Sequence, residues 1–291
     1  MNDAIKSRMR LFEQCPVCNS ADLVPLSARL LEGPLLKCST CGHFVSSCTS
    51  KQHEDALWKW DNASGTNPDA KSLSRHQQVS TRRLTTAIKL LRTSSQPPHL
   101  LDVGCSSGSL LAVAANMGLS VSGVEPATVA AEAAQKAGFD VHAGYLNQAN
   151  YPDNHFDIVT LFEIVEHLSD PSALVNECRR ILKAGGVLAI NTPNGASWTA
   201  KFMGHRWEGF SLVKLGGHVS FFTPDSMKFL VHHTDLSVAK IETRNVRFFE
   251  RGQCSPTFFR AAKIAAQLLA YPARILGQGH DLLIFLRKEV T

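Results

Sequence analysis

From His99 onward, short apolar runs alternate with stretches of helical periodicity, and this alternation constrains the fold more than any other feature of the 291-residue chain. Strands that alternate with helices pair in parallel, because each helix carries the chain back across the sheet. The predicted strands are Leu100–Gly104, Val121–Glu125, Val141–Gly144, Phe156–Phe162, Val187–Thr192, Val238–Asn245 and Leu282–Arg287. The predicted helices are Ser109–Met117, Thr128–Ala137, Ser172–Leu182 and Pro224–His233. We therefore predict an α/β fold, with a seven-stranded sheet and helices on both faces.

Composition divides the chain into three regions. Residues 11–48 are rich in cysteine and turn formers, which indicates a small separate module. Residues 49–96 are polar and then acquire a helical pattern, so we predict a helical linker there. The alternating segment fills residues 97–291, with an insertion at about 248–279. A chain of this length can bury one sizeable core and a small accessory module.

Four cysteines near the N-terminus form two matched pairs, Cys15 with Cys18 and Cys38 with Cys41, and 19 residues separate the pairs. Each Cys-x-x-Cys can form a tight turn that directs two thiolates toward one ion, and four thiolates complete a closed tetrahedral zinc site. Because so short a segment cannot build an adequate core, zinc would supply much of its folding free energy. The alternatives are a redox pair or four unrelated cysteines. We predict a structural zinc ribbon over residues 11–48.

Charge and hydropathy restrict the partners and the location. The net charge of +5 is mild and tolerates an acidic substrate such as a nucleotide-sugar, but no dense Lys/Arg run favours nucleic acid. No apolar stretch reaches the roughly 20 residues that a transmembrane helix needs. Residues 1–10 are polar and basic with no apolar segment behind them, so no secretory signal is visible. The expected location is the cytoplasm.

The first predicted strand runs into a glycine-containing turn that is typical of a nucleotide pocket. Gly104 allows the chain to turn sharply, and Gly108 lets the next helix pack closely while its N-terminus faces the ligand. Asp102 can accept a hydrogen bond from the amino end of a ligand. Glu125, at the end of the second strand, can accept hydrogen bonds from both hydroxyls of a ribose. The turn lacks the middle glycine of GxGxxG, which disfavours an NAD-dependent enzyme.

The motifs of the chain resemble, in their order, those of class I S-adenosylmethionine-dependent methyltransferases. The segments that carry the resemblance are Leu100–Leu111, Gly123–Pro126, Phe156–Pro171 and Leu182–Pro193. The resemblance implies a Rossmann-like sheet and S-adenosylmethionine as the cofactor. It implies a cofactor site made of Asp102, Gly104, Cys105, Ser106, Gly108, Glu125, Pro126, Tyr145, Leu146 and Phe162. Ser106 stands where the family commonly has glycine, and Tyr145 and Leu146 would lie against the adenine.

The segment that leaves the fourth predicted strand carries Glu163, Glu166 and His167, beside the cofactor's methyl group in such a fold. If this segment is helical, the i, i+3, i+4 spacing places the three side chains on one face. His167 can then act as a general base toward an acceptor hydroxyl. Alternatively, the three residues can hold a divalent cation such as Mg²⁺, which lowers the pKa of the hydroxyl. Structural hydrogen bonds to the backbone are the third interpretation.

A histidine in a glycine-flanked loop is a second candidate base. His218 follows Gly216 and Gly217, between the fifth predicted strand and the helix that begins at Pro224. The fold therefore brings this loop over the same pocket. We predict that His218 binds the acceptor or removes its proton, and the candidate catalytic set becomes His167, His218 and Glu163.

This half of the chain also resembles the O-methyltransferases of ubiquinone biosynthesis. The shared features are the Glu-x-x-Glu-His pattern at Glu163–His167 and the Gly-x-His pattern at Gly216–His218. In that family the Glu-Glu-His cluster is a candidate metal site. The N-terminal ribbon departs from that family and is similar to methyltransferases of sugar, glycan and natural-product pathways. A hydroxyl on such an intermediate is the expected acceptor, and a quinone precursor is the alternative.

The insertion contains a predicted amphipathic helix, Phe258–Leu269, and Pro272 interrupts the helical pattern that follows it. Arg260 and Lys263 add positive charge, so the helix can rest on a membrane that carries a lipid-linked substrate. A lid over the pocket and a dimer contact are the alternatives. The sequence leaves the oligomeric state open.

The expected reaction is an in-line displacement, in which the acceptor oxygen attacks the sulfonium methyl and S-adenosylhomocysteine leaves. Two other classes stay open. An RNA methyltransferase would bind RNA through the ribbon, which requires basic residues there. Arg29 and Lys37 are the only basic residues between Cys15 and Cys41, which disfavours this class. A non-catalytic protein would bind the cofactor without turnover.

Overall fold

The structure is a computed structural model that describes residues 9–61, 70–93, 96–214, 216–232, 234–249 and 252–289. Some predicted positions lie outside the described residues. They are His233, at the end of the fourth predicted helix, and parts of the linker, the insertion and the C-terminus. The described elements form one sheet of seven strands and one of four.

The small sheet belongs to the cysteine-rich N-terminal region. Strand β1 (Leu23–Leu30) pairs antiparallel with β2 (Gly33–Cys38), and β2 pairs with β3 (Phe44–Val45). A fourth strand, β9 (Ser220–Phe221), comes from much later in the chain and pairs with β3. The ribbon is therefore joined to the rest of the protein by backbone hydrogen bonds, which no sequence pattern indicated.

Two helices, α1 (Ser50–Asp61) and α2 (Ala70–Leu90), occupy the region predicted as a helical linker. Leu84 and Ala87 of α2 are buried in the same apolar cluster as residues of the large sheet. The helical periodicity of this region therefore reflects a helix that covers the sheet.

The large sheet confirms the α/β prediction. Its strands are β4 (His99–Val103), β5 (Ser120–Glu125), β6 (Asp140–Ala143), β7 (Phe156–Phe162), β8 (Leu182–Pro193), β10 (Leu236–Arg244) and β11 (Asp281–Lys288). They lie in the order β10-β11-β8-β7-β4-β5-β6. The strands from β8 to β6 are parallel, and β11 runs antiparallel between β8 and β10.

Helices cover both faces of this sheet, as predicted. Those that follow its strands are α3 (Ser109–Asn116), α4 (Thr128–Lys136), α5 (Pro171–Ile181), α6 (Trp198–Met203) and α7 (Pro224–Val231). Successive strand residues point to opposite faces. Leu100 therefore packs with α2, α3 and α4, whereas Leu101 packs with α5 and α7. Because the parallel strands all end at one edge, the residues that follow β4, β5, β7 and β8 lie close together there.

The insertion before β11 contains one long helix, α8 (Pro256–Ile275). The prediction that Pro272 interrupts this helix is wrong, because the helix continues through Pro272 to its end. Proline removes one backbone donor, but the last turn is still closed by the Leu276 amide, which donates to the Pro272 carbonyl at 3.0 Å. The described residues contain no helix long and apolar enough to cross a lipid bilayer.

The orientation of α8 shows which of its side chains meet the rest of the protein. The buried residues of the helix are the small Ala266 and Ala273. The large side chains of Ile264 and Leu268 are exposed to solvent. The apolar periodicity located the stripe, but periodicity does not show whether such a stripe meets the core.

Candidate functional site

The glycine turn after β4 has a backbone that favours glycine. Gly104 (φ 76°) and Gly108 (φ 85°) both have positive φ, which glycine adopts without steric cost. A Cβ atom on Gly104 would lie 2.3 Å from Cδ1 of Ile164, so any side chain there would require Ile164 to move. Ser106 also has a positive φ, 48°, which costs a serine about 1 kcal/mol. The turn therefore keeps the shape that a glycine at position 106 would favour.

The carboxylate of Glu125 connects this turn, through hydrogen bonds, to the residue that precedes α4. One carboxylate oxygen accepts a hydrogen bond from the Ser106 amide at 2.8 Å, and the other accepts one from the Ala127 amide at 2.8 Å. The side chain lies at the end of β5 and is 8% exposed. Pro126 follows directly and leads the chain into α4. Glu125 thus sits at the carboxyl edge of the sheet, where the sequence places a ribose-binding carboxylate.

Asp102 is a buried carboxyl group at the same edge. Its Oδ1 accepts a hydrogen bond from the Thr160 hydroxyl at 2.6 Å. Burial raises the pKa of Asp102 to about 7, while the Thr160 hydrogen bond lowers it and the nearby Glu125 raises it further. The ionised form is therefore only partly populated near neutral pH. A cationic ligand beside Asp102 would favour ionisation.

The other predicted cofactor residues lie in different surroundings. The thiol of Cys105 points into the core beneath Gly123, and Leu146 is buried in the main apolar cluster. Tyr145 is 63% exposed, at the end of the loop that follows β6. Phe162 is half-buried at the end of β7. Of these four side chains, Tyr145 and Phe162 are the ones accessible to a ligand in this structure.

The segment after β7 is not an α-helix. Only Val165–His167 form a 3₁₀ turn, and Glu163 precedes it with a positive φ of 58°. Non-glycine residues in this region are strained and are often found at functional sites. The predicted common face of Glu163, Glu166 and His167 therefore does not form, and the Glu163 carboxylate accepts a hydrogen bond from the Asn191 amide group.

The structure instead brings Glu166, His167 and His218 together. One ligand atom from each lies within 4.8 Å of the others. Oε2 of Glu166 accepts a hydrogen bond from the Thr192 hydroxyl at 3.0 Å, whereas its buried Oε1 has no hydrogen-bond partner in the described structure. Nε2 of His218 lies 4.0 Å from that Oε1. An unsatisfied buried carboxylate oxygen beside a histidine is a site prepared for a proton or a cation.

His167 and His218 each use Nδ1 for a backbone hydrogen bond, which leaves Nε2 as the nitrogen available at this site. Nδ1 of His167 donates to the Gly216 carbonyl at 2.7 Å, and Nδ1 of His218 donates to the Gly209 carbonyl at 3.1 Å. A carbonyl can only accept, so the remaining lone pair of each ring is on Nε2. Burial lowers the pKa of His167 to about 3 and that of His218 to about 4. Both rings are therefore neutral near pH 7 and have a free acceptor nitrogen.

The two glutamates form a carboxyl pair. Burial raises the pKa of Glu163, although the charge of Arg83 and the hydrogen bond from Asn191 lower it. Burial also raises the pKa of Glu166, and the adjacent Glu163 raises it further. Two carboxylates this close favour retention of a proton near neutral pH. A bound cation would favour loss of that proton, so that the carboxyl groups of Glu163 and Glu166 would both be ionised.

Two residues outside the predicted set reach the same edge. Arg83, on α2, donates to Oδ1 of Asn191 at 2.6 Å, and its guanidinium group lies 4.9 Å from the ring of Phe162. His53, on α1, has its Nε2 2.9 Å from the carbonyl of His167. Sequence reasoning missed both because they precede the sheet in the chain. The helical periodicity of α2 could have indicated that the helix packs on the sheet.

The four cysteines of the ribbon also converge. The Sγ atoms of Cys15 and Cys41 are 3.5 Å apart, those of Cys18 and Cys38 are 3.4 Å apart, and all four lie within 4.8 Å of one another. Zinc–sulfur bonds of about 2.3 Å in a tetrahedron place sulfurs about 3.8 Å apart. The geometry and the all-sulfur donor set both suit a structural zinc ion.

Comparisons with known proteins agree with this architecture. A profile for a methyltransferase domain matches residues 74–241, which is more than half of the chain. The ubiquinone biosynthesis O-methyltransferase of Haemophilus ducreyi is 34% identical over 106 residues, covering 33% of this chain and 45% of that protein. The protein of the same name from Cereibacter sphaeroides is 33% identical over 148 residues, covering 47% and 60%. The chain thus spans about half the length of these curated relatives.

A solved structure supports the fold. A SAM-dependent methyltransferase from Archaeoglobus fulgidus superposes with a TM-score of 0.50 and covers 73% of this chain and 94% of that one. The two sequences are 21% identical, so the likeness concerns the fold alone.

Proposed function

The chain belongs to the methyltransferase domain family, with the class I fold that uses S-adenosylmethionine; on this premise we propose that it transfers a methyl group to a hydroxyl oxygen of a sugar, glycan or natural-product intermediate. One observation carries the choice of oxygen. Glu166, His167 and His218 converge at the carboxyl edge of the sheet with two neutral imidazoles and an unsatisfied carboxylate oxygen. Such a group can accept the proton that a hydroxyl must lose.

The chain's own part in this reaction is to bind, align and deprotonate. When bound, S-adenosylmethionine supplies a methyl group already activated by a sulfonium. Asp102 would face its amino group and Glu125 its ribose. Phe162 and Arg83 would line the acceptor side, since both are partly accessible next to Asn191. Alignment of this kind accounts for much of the rate enhancement in transfers between two bound molecules.

His218 is the preferred base within this proposal. Its Nδ1 donates to the Gly209 carbonyl, so Nε2 is free to accept a proton. Glu166 lies next to that nitrogen and would stabilise the imidazolium once the proton has moved. His167 is held in the same way by Gly216 and is the alternative.

A divalent cation is the second way in which this cluster can lower the pKa of an acceptor hydroxyl. Glu166, His167 and His218 would supply one oxygen and two nitrogens on one side of the ion, which leaves positions open for a substrate. Two imidazoles suit a first-row transition metal better than Mg²⁺, which prefers an all-oxygen shell. Glu163 would join only if its hydrogen bond to Asn191 were released.

We also propose that Cys15, Cys18, Cys38 and Cys41 hold a structural zinc ion, with no position open for chemistry. The presence of this ribbon favours the sugar, glycan or natural-product class of acceptor. The similarity to ubiquinone biosynthesis O-methyltransferases favours a phenolic quinone precursor as the second candidate.

An acceptor panel tests the proposed function. The purified protein is incubated with S-adenosylmethionine and with nucleotide-sugars, glycans, catechols or RNA, and S-adenosylhomocysteine is measured. Mass spectrometry then locates the new methyl group. A sugar methyl ether supports the first candidate, and a catechol methyl ether supports the second. Cofactor binding without product from any acceptor would indicate a non-catalytic protein.

Alanine at His167 or His218 should separate catalysis from cofactor binding. We expect each substitution to lower kcat about 100-fold or more, the usual contribution of a general base. The dissociation constant of S-adenosylmethionine should stay within about twofold, because neither ring takes part in the proposed cofactor contacts. Steady-state kinetics and calorimetry measure the two quantities.

The control for these variants is His205→Ala, since His205 is exposed in a nearby turn. Wild-type turnover in both the His167 and the His218 variants would exclude them as bases. Metal analysis distinguishes the two roles of the cluster: a second metal ion per chain that His218→Ala removes indicates a cation, and a metal content of about one zinc that His218→Ala leaves unchanged indicates a base.

The raised pKa of Asp102 predicts pH-dependent cofactor binding. If the ionised carboxylate faces the ligand's ammonium group, affinity is full above the pKa of about 7 and falls below it. Between pH 8 and pH 6 the dissociation constant should rise about tenfold. Calorimetry at several pH values measures this slope, and Asp102→Asn should bind weakly with no such slope. A wild-type affinity independent of pH would contradict the role given to Asp102.

A further inference from the structure

The exposed side of α8 carries a continuous stripe of large apolar side chains. Ile264, Leu268, Tyr271 and Ile275 are 59%, 74%, 72% and 67% exposed. Their spacing of four, three and four residues places them on one line along the helix. Soluble monomers rarely leave so regular an apolar surface in water without a partner.

The opposite side of α8 is attached to the protein through small residues. Ala266 and Ala273 are the buried positions of the helix, and they pack with Val246 next to β10. The helix therefore places its small side chains inward and its large apolar ones outward. This arrangement is the reverse of that expected for a helix whose function is to complete the core.

Charge identifies the kind of surface that would cover the stripe. The 20 residues of α8 include Arg260, Lys263 and Arg274 and no acidic residue. At 100° per residue these three basic side chains lie along one flank of the stripe.

A second copy of the chain is a poor match for this face. Two such helices packed against each other would bring basic flanks together with no acidic residue on either helix to pair with them. An anionic lipid surface satisfies both features at once, because acyl chains take the apolar stripe and headgroup phosphates take the basic flank.

We propose that α8 binds flat on an anionic membrane, with Ile264, Leu268, Tyr271 and Ile275 in the acyl-headgroup boundary and the basic flank on the phosphates. The proposal does not depend on the methyl acceptor. It would hold the protein at the surface where a lipid-linked acceptor is found, if the proposed function also holds.

Vesicle flotation of the full chain tests this proposal. We expect the protein to float with vesicles that contain phosphatidylcholine and phosphatidylglycerol, and to bind vesicles of phosphatidylcholine alone at least about tenfold more weakly. High salt should release it in part, because salt screens the basic flank but does not affect the apolar stripe.

Two variants with matched controls separate the two contributions. Leu268→Asp should weaken binding to the anionic vesicles about tenfold or more, whereas Val129→Asp, at an exposed apolar residue of α4, should not. The double change Arg260→Glu with Lys263→Glu should weaken it about 20-fold or more. Arg75→Glu with Lys89→Glu, the same charge change on exposed residues of α2, should leave it nearly unchanged. Thermal unfolding confirms that each variant is folded.

Three results would overturn the proposal. One is equal binding by wild type and Leu268→Asp, and another is equal affinity for neutral and anionic vesicles. The third is a stable dimer in light scattering that Leu268→Asp dissociates, which would identify the stripe as a contact between copies. Vesicle binding is measured without methyl transfer, so a failed acceptor panel leaves this test intact.

Discussion

Replacement of Glu125 by alanine should weaken the binding of S-adenosylmethionine about 100-fold or more. A carboxylate at this position can accept two hydrogen bonds from ribose hydroxyls, and hydrogen bonds to charged groups contribute about 1.5 to 3 kcal/mol each. The loss of two such bonds amounts to roughly 3 kcal/mol or more, or about two orders of magnitude in the dissociation constant. Isothermal titration calorimetry measures the effect directly.

The structure gives a second reason for a large effect. The two Glu125 oxygens accept hydrogen bonds from the amides of Ser106 and Ala127. Alanine would release both amides and so loosen the turn that starts at Gly104. Glu125→Gln keeps one oxygen acceptor and should have an intermediate affinity.

Glu132→Ala is the matched control for this prediction, because Glu132 is an exposed glutamate of the adjacent helix α4. It should bind the cofactor as the wild type does. If Glu125→Ala bound S-adenosylmethionine with unaltered affinity, the cofactor would have to lie elsewhere, and the assignment of the turn would be abandoned.

Loss of the zinc site should destabilise the whole chain and not only the ribbon. Metal analysis of the purified protein should find about one zinc per chain, and Cys15→Ser with Cys38→Ser should remove it. We expect the melting temperature to fall by about 10 °C or more, since structural zinc contributes several kcal/mol to folding. Differential scanning fluorimetry with and without a chelator measures the change.

The size of this effect follows from the contacts of the ribbon. Cys15, Cys38 and Cys41 belong to the same apolar cluster as Met227 and Leu230 of α7. Strand β3 pairs with β9, and the ring of His43 hydrogen-bonds to the hydroxyls of Ser220 and Ser226. A ribbon that unfolds therefore removes buried partners from the core.

The ribbon also holds the loop of His218. The Ser46 amide donates to the Val219 carbonyl at 2.8 Å, and the Val219 amide donates to the Glu166 carbonyl at 2.9 Å. The zinc-free variant should therefore lose turnover at temperatures where it is still folded. Cys254→Ser, outside the ribbon, is the control for the loss of a thiol. Unchanged metal content and stability in the double variant would contradict the zinc assignment.

Much of the fold could be predicted from the sequence because its signals are local. Apolar periodicity indicated the seven strands and the helices that follow them, apart from boundaries and the course of α8 at Pro272. Gly104, Gly108 and Glu125 lie where the motif order places them, since each is fixed by the end of a strand. Positions of this kind depend on residues only a few places apart in the chain.

Which residues form the cluster of Glu166, His167 and His218 depends on contacts between residues that are far apart in the sequence. Glu163, Glu166 and His167 were expected on one helical face, but the positive φ of Glu163 directs its carboxylate to Asn191. His218 takes its place because the loop that carries it is held by the ribbon on one side and by Glu166 on the other. Arg83 reaches the same edge from a helix that precedes the sheet.

The sequence by itself determined the α/β sheet, the glycine turn and the pairing of the four cysteines, because each rests on short-range periodicity or spacing. Only the tertiary structure decided that Glu166, His167 and His218 converge, how the ribbon joins the sheet and which side of α8 faces solvent. These outcomes depend on side chains and backbone groups that meet across long stretches of chain, and their energies are set by packing, which no local pattern records. The glycine turn could be located from the sequence, whereas the cluster of Glu166, His167 and His218 is formed only in the packed structure.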